Sequence, residues 1–159
     1  MTNSMGWMMN IANRLAVLTI AVCICGCTRS SGQVITVPLM ATQRNPGQIA
    51  NVTLASRGTQ TGFSFTISGV PGGVSLPLRL YTFIYKGSCQ QPGPIAFSMN
   101  DQVNTERVAV RGWTYSRSAP VALSELLSGG YSIVMRTAPA DGNVDIFCGD
   151  IPKGIWRNR

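Results

Sequence analysis

The most informative absence in this chain of 159 residues is histidine, which does not occur at all. Without imidazole there is no Ser-His-Asp hydrolytic triad and no histidine ligand for a redox-active copper ion. Acidic residues are also scarce, with six Asp and Glu against 13 Lys and Arg, which gives a formal net charge of +7. We therefore expect a protein that is not an enzyme and that holds no metal and no cofactor.

The basic residues are mostly arginines, and they are scattered along the chain. A nucleic-acid-binding protein is expected to show a basic stripe with interleaved aromatic residues, so the pattern argues against a nucleic-acid partner. Two readings of the positive charge remain. It forms a solvated basic surface, or it attracts an anionic envelope polymer through long-range electrostatics.

Long apolar runs are absent as well. The longest candidate, Leu15 to Val22, follows Arg14 and is shorter than the roughly 20 residues that a membrane-spanning helix needs. A basic residue, a short apolar core and small residues after it are typical of a secretory signal.

The end of this signal, Ile24-Cys25-Gly26-Cys27, resembles the bacterial lipobox. The resemblance implies cleavage after Gly26 and acylation of Cys27, with a palmitate-type chain among the lipids that anchor the protein to a membrane. Thr28, where Asp would favour inner-membrane retention, indicates the outer membrane, facing the periplasm or the cell surface. The alternatives are a plain secretory signal with a free Cys27, or an uncleaved single-span anchor.

We accordingly divide the chain into a lipoprotein signal peptide (1–26), a tether (27–33) and one β-domain (34–159). The domain is rich in Gly, Pro, Ser, Thr and Val, which is typical of strands and turns. Apolar residues alternate cleanly at Phe63, Phe65 and Ile67, and again at Leu78, Leu80 and Ile84. We predict an all-β fold, a Greek-key sandwich or barrel of seven or eight short strands. The predicted strands are 33–39, 47–55, 62–68, 78–85, 106–111, 131–136 and 144–151, with one helix of about two turns at 121–127.

Cys89 and Cys148 are the two cysteines of the domain. An even pair in an exported protein favours a disulfide bond. The alternative is a pair of buried free thiols.

Two segments around these cysteines carry a family likeness. Lys86-Gly87-Ser88-Cys89-Gln90-Gln91-Pro92-Gly93-Pro94 resembles the disulfide loop of copper/zinc superoxide dismutases, and Phe147-Cys148-Gly149-Asp150-Ile151 resembles the strand that holds the partner cysteine. The likeness extends over about residues 51–152. It implies a Greek-key β-barrel in which the loop is tied to the last strand.

The same resemblance implies that the catalytic residues are missing. Phe83 and Tyr85 stand where the family has its His-x-His copper ligands, and Arg136 stands where it has a later histidine. Asp145 replaces the arginine of the family's active channel, which would repel superoxide rather than attract it.

We therefore expect a lipid-anchored, non-catalytic dismutase-like envelope protein with a structural or interaction role. The alternative is an envelope ligand-binding module, or an inhibitor of an attacking enzyme such as lysozyme. An envelope protein or an anionic envelope polymer is the expected partner; the sequence does not determine the oligomeric state.

Weaker candidates complete the set. A soft metal site would use Met99, Met135, Tyr81, Tyr85, Asp101 and Asp145, and a carboxylate catalyst would use Asp141, Asp145 and Asp150. The segment from Ser128 to Tyr131 resembles the Ser-Gly-x-Tyr loop of some periplasmic lysozyme inhibitors. An aromatic group that binds a ligand or caps the barrel would use Trp113, Thr114, Tyr115 and Trp156.

Overall fold

The computed structural model describes residues 32–108 and 111–154. Within them lie nine β-strands, one short α-helix and one 3-10 turn. The strands are β1 (Val34–Ala41), β2 (Ala50–Arg57), β3 (Gln60–Ile67), β4 (Leu80–Gly87), β5 (Pro92–Ser98), β6 (Glu106–Arg107), β7 (Trp113–Ala119), β8 (Tyr131–Thr137) and β9 (Asp145–Asp150). The helix α1 is Leu123–Leu126, and the 3-10 turn is Pro139–Asp141. The predicted signal peptide, Cys27 and Trp156 lie outside the described residues.

All nine strands belong to one antiparallel sheet in the order β5-β4-β8-β9-β1-β2-β3-β7-β6, and the sheet forms a half-barrel. The prediction of an all-β fold is confirmed. We call β5, β4, β8 and β9 the second half-sheet, and β1, β2, β3, β7 and β6 the first half-sheet. The described residues join the halves through two pairs between β1 and β9, Met40 with Cys148 and Ala41 with Phe147, and through a hydrogen bond from the Thr42 N–H to the Ile146 carbonyl.

Three longer connections carry the chain from one half-sheet to the other. They lie between β3 and β4, between β5 and β6, and between β7 and β8. The other connections are local: β1, β2 and β3 follow one another across the first half-sheet, and β4 and β5 pair directly, as do β8 and β9. The chain thus builds each half from non-consecutive segments.

The core lies on the inner face of the curved sheet. Phe63, Phe65 and Ile67 are buried as the alternation predicted, and Leu80 and Ile84 are fully buried on β4. Phe65 stacks on Tyr115 of β7 with ring centroids 4.6 Å apart. Both half-sheets therefore supply side chains to one hydrophobic cluster.

Two strands were not predicted from the sequence. β5 begins at Pro92, inside the segment that we interpreted as a loop, and β7 covers Trp113–Ala119, of which we interpreted Trp113 to Tyr115 as a ligand-binding or capping group. Proline at the first position of an edge strand is tolerated because its missing N–H faces away from the ladder. Among the described residues of the predicted strand at 106–111, β6 covers Glu106–Arg107, and the helix is one turn rather than two.

Gly149 permits the join between the half-sheets. A Cβ atom at this position would lie 2.6 Å from the carbonyl oxygen of Pro38 and would also meet the Leu39 side chain. The first neighbour is backbone, which cannot move aside without disturbing β1. Only glycine lets β9 approach β1 this closely.

We expect G149A to lower the free energy of unfolding by about 1–3 kcal/mol, the usual cost of inserting a methyl group into a packed site. G72A is the matched control, because a Cβ at Gly72 has no neighbour within 4 Å and its backbone is not left-handed. Urea unfolding of both variants measures the difference. Equal stability of G149A and G72A would contradict this account of the join.

Candidate functional site

The outer face of the second half-sheet carries the residues that the family likeness singled out. Strand alternation sends Thr82 and Ile84 into the core and turns Phe83 and Tyr85 outward, where both are half-buried. Arg136, near the end of the neighbouring strand β8, faces the same side. The three positions therefore meet on one surface.

These side chains contact one another directly. Arg136 Nη2 donates a hydrogen bond to the Tyr85 hydroxyl at 3.3 Å, and Arg136 Cζ lies 5.2 Å from the Phe83 ring centroid. The Phe83 and Tyr85 rings meet edge-on with centroids 6.3 Å apart. With Asp145 they form what we call the outer-face cluster.

Asp145 accepts a hydrogen bond from Arg136 Nε and forms an ion pair with it. The bond raises the pKa of Arg136, so the guanidinium stays charged. Because the two side chains are 21% and 46% exposed, the pair contributes at most about 1 kcal/mol to stability. The carboxylate of Asp145 is thus compensated by a partner.

Cys89 and Cys148 form a disulfide bond, with Cα atoms 5.9 Å apart and a sequence separation of 59 residues. The alternative of two free thiols is wrong. Closing a loop of this length stabilises the fold by about 4 kcal/mol in the chain-entropy model. The bond ties the segment after β4 to β9, on the same side of the sheet as the outer-face cluster.

Hydrogen bonds hold the disulfide segment against the sheet. The backbone N–H of Cys89 donates to Asp150 Oδ1 at 2.7 Å, and the N–H of Gly87 donates to the Gly130 carbonyl at 2.7 Å. Gly87 has a left-handed φ of 91°, which favours glycine. The positioning role of Asp150 was missed in the sequence, although its place two residues after Cys148 is a usable signal.

The candidate soft metal site is not assembled. Met135 is fully buried on the inner face, Tyr81 and Tyr85 are on the outer face, and Asp101 lines a separate cleft. Within the described ranges, no three His, Cys, Asp or Glu side chains lie close enough together to hold a metal ion.

The three C-terminal carboxylates each bond to a different group. Asp141 accepts the backbone N–H of Ser75 at 2.9 Å, and hydrogen bonding to Ser75 lowers the pKa of this carboxyl. Asp145 binds Arg136, and Asp150 binds Cys89. This arrangement does not supply the facing acid and base that a carboxylate catalyst needs.

The Ser128 to Tyr131 segment does not project freely. Lys153 packs so closely on Gly129 that a Cβ there would collide with its side chain, and the Gly154 N–H donates to the Leu127 carbonyl at 2.9 Å. The segment that follows β9 therefore packs on Gly129, while Ser128 and Gly130 remain exposed.

The aromatic candidates of β7 lie in different environments. Tyr115 is buried in the core and shares a hydrogen bond with Thr82 at 3.3 Å, and burial raises its pKa. Trp113 is half-buried under Arg107. Arg117 was overlooked as a site residue, although its even spacing from Tyr115 in an alternating strand predicts an inward side chain.

The described part of the chain contains no helix with the length and apolar character required to cross a membrane. The chain matches no protein-family model, no curated protein and no solved structure.

Proposed function

We propose that this protein is a lipid-anchored, non-catalytic, dismutase-like envelope protein with a structural or interaction role. The observation that carries the proposal is the outer-face cluster. At the three positions where the family would place metal-binding imidazoles, the chain has a phenyl ring, a phenol and an ion-paired guanidinium in mutual contact.

The chemistry of these groups opposes metal binding. The guanidinium of Arg136 has no acceptor lone pair and keeps its proton, and the Phe83 ring offers no donor atom. Tyr85 already accepts a hydrogen bond from Arg136. A cation placed among them would be repelled by Arg136 without gaining a ligand that replaces imidazole.

The covalent frame supports the dismutase-like part of the proposal. The disulfide joins the segment after β4 to β9, which is the connection that the resemblance implies. The three crossings between half-sheets are of the kind that a Greek-key barrel contains. A disulfide bond and strand connections of the family's kind, without the family's metal ligands, fit a family member that has lost its catalytic activity.

Exposed apolar side chains near the cluster favour an interaction role. Ile95 pairs with Tyr85 and is 48% exposed, and Met40 pairs with Cys148 and is 73% exposed. An inhibitor of an attacking enzyme that acts through residues 128–131 is less well supported, since Lys153 packs on that loop.

The purified protein is expected to contain far less than one equivalent of copper or zinc and to remove superoxide no faster than buffer, because the cluster has no imidazole. Elemental analysis after incubation with each metal, followed by a superoxide assay, measures both properties. R136Q, which removes the charge from the cluster, serves as the control and should behave like the wild type. Stoichiometric metal with turnover would overturn the proposal.

The lipid anchor is tested separately. C27A is expected to leave the protein unacylated and to release it from the outer-membrane fraction, because Cys27 is the proposed acylation site. C25A is the matched control, since Ala is a usual residue at that lipobox position, and it should retain both the lipid and the membrane association. Mass spectrometry of the N-terminus and membrane fractionation give the answer; an acylated C27A protein, or loss of the lipid in C25A alone, would refute this anchor.

A further inference from the structure

Strand β7 is covered by β6 over part of its length. The two-residue β6 pairs with Trp113 and Thr114, whereas β7 continues to Ala119. The chain before β6 turns away from β7 towards β4, where the Leu80 N–H donates to the Val103 carbonyl at 2.8 Å. An opening in the sheet therefore lies beside the second half of β7, and we call it the β7 gap.

The β7 gap is a cleft of about 340 Å³, at the lower end of the range typical of small-molecule sites. Two of its lining residues, Met99 and Arg117, are buried. The exposed lining residues are Arg57, Asp101, Gln102, Ser116 and Ser118. The gap thus opens to solvent on the outer face of the sheet and ends at the core, with room for a short segment of chain.

Backbone groups of β7 face this gap. The Val108 N–H donates to the Gly112 carbonyl at 3.2 Å, and Thr114 is the next even-numbered residue paired with β6. Alternation along an antiparallel strand then directs the N–H and C=O groups of Ser116 and Ser118 to the same side, where the described part of the chain places no neighbouring strand. An edge of this kind is complementary to the backbone of another extended segment.

Arg117 closes the inner side of the gap. Its Nη1 donates to the Ser116 carbonyl at 2.8 Å, and its Nη2 donates to the carbonyls of Leu80 and Asn104 at 3.4 and 3.3 Å. The guanidinium therefore links β7 to the chain across the gap. The Ser116 N–H and both backbone groups of Ser118 keep no partner among the described residues.

Arg57 supplies positive charge on the outer side. A Cβ atom at Gly62 would lie 2.7 Å from Arg57 Nε, so the Arg57 side chain crosses the bare backbone of β3. Gly62 pairs with Ser118, and the side chains of all three positions belong to the outer face. Asp101 lines the gap but forms no ion pair with Arg57 in the described part of the chain. A side chain opposite Ser118 on the outer face would therefore meet an uncompensated guanidinium.

We propose that the β7 gap binds an extended acidic peptide segment of a partner protein. The peptide adds a strand to β7 and pairs its backbone with Ser116 and Ser118. A Glu or Asp of the peptide opposite Ser118 pairs with Arg57. Because successive side chains of a strand point to opposite faces, the neighbouring peptide residues point inward towards Met99. The proposal concerns a surface separate from the outer-face cluster and does not depend on the dismutase-like interpretation.

Titration of the isotope-labelled protein with the acetylated and amidated pentapeptide Thr-Val-Glu-Val-Thr, followed by NMR at constant ionic strength, tests the site. The amide signals of Ser116 and Ser118 should shift saturably at one peptide per chain. Absence of saturable binding would overturn the proposal. Shifts of the same amides on raising the protein concentration without peptide would place a second copy in the gap and would also overturn it.

Two methylated probes test the added strand without changing the protein. Peptide residues opposite Ser116 and Ser118 direct their N–H groups to β7, and in this peptide they are the Glu and Thr residues. N-methylation of the Glu and both Thr should abolish binding, whereas N-methylation of the two Val, whose N–H groups point away from β7, should preserve it. Equal binding of the two methylated peptides would refute strand addition.

The charge of the partner is tested at Arg57. R57Q should weaken binding of the Glu peptide about fivefold and abolish its preference over the matched Gln peptide, because the exposed ion pair is lost. R44Q makes the same change in net charge at an exposed arginine of a different cleft and should bind like the wild type. Equal weakening in R57Q and R44Q would show a general charge effect and contradict recognition of an acidic residue by Arg57.

Discussion

The rest of the structure depends on the close contact between β1 and β9. Two residue pairs make the half-sheets one sheet, and Gly149 is small enough to allow them. One of these pairs contains Cys148, so the disulfide anchors the segment after β4 at the same join. Local hairpins supply parts of each half, and the long-range pairings of β3 with β7 and of β4 with β8 complete them; the contact between β1 and β9 then joins the two halves into one sheet.

The alternation of strand β4 places its core residues and its surface residues on opposite faces of the sheet. Its inward side chains complete the core, and its outward side chains meet Arg136 and Asp145. Substitutions on the outer face therefore need not disturb the buried residues. Under the proposed dismutase-like interpretation, this separation would let the fold persist without the metal ligands.

The alternating segments and the cysteine pair were predictable because their signals are local or chemically restrictive. The spacing of Phe63, Phe65 and Ile67 predicts a buried face, and two cysteines in a domain that we expect to be exported favour a disulfide bond. β5 was missed because Pro92, Gly93 and Pro94 are normally turn residues. β7 was missed because its core residues include Arg117, and the backbone carbonyls that hold this guanidinium cannot be inferred from spacing along the chain.

The central claim is that Phe83, Tyr85 and Arg136 occupy the positions of absent metal ligands. Titration of the triple variant F83H/Y85H/R136H with copper(II) tests it most directly, because imidazoles at three contacting positions should recreate a binding site. The account predicts one copper per chain in the variant and none in the wild type, each with the Cys89–Cys148 bond intact. A folded variant that binds no copper, or a wild-type chain that binds it equally, would contradict the account.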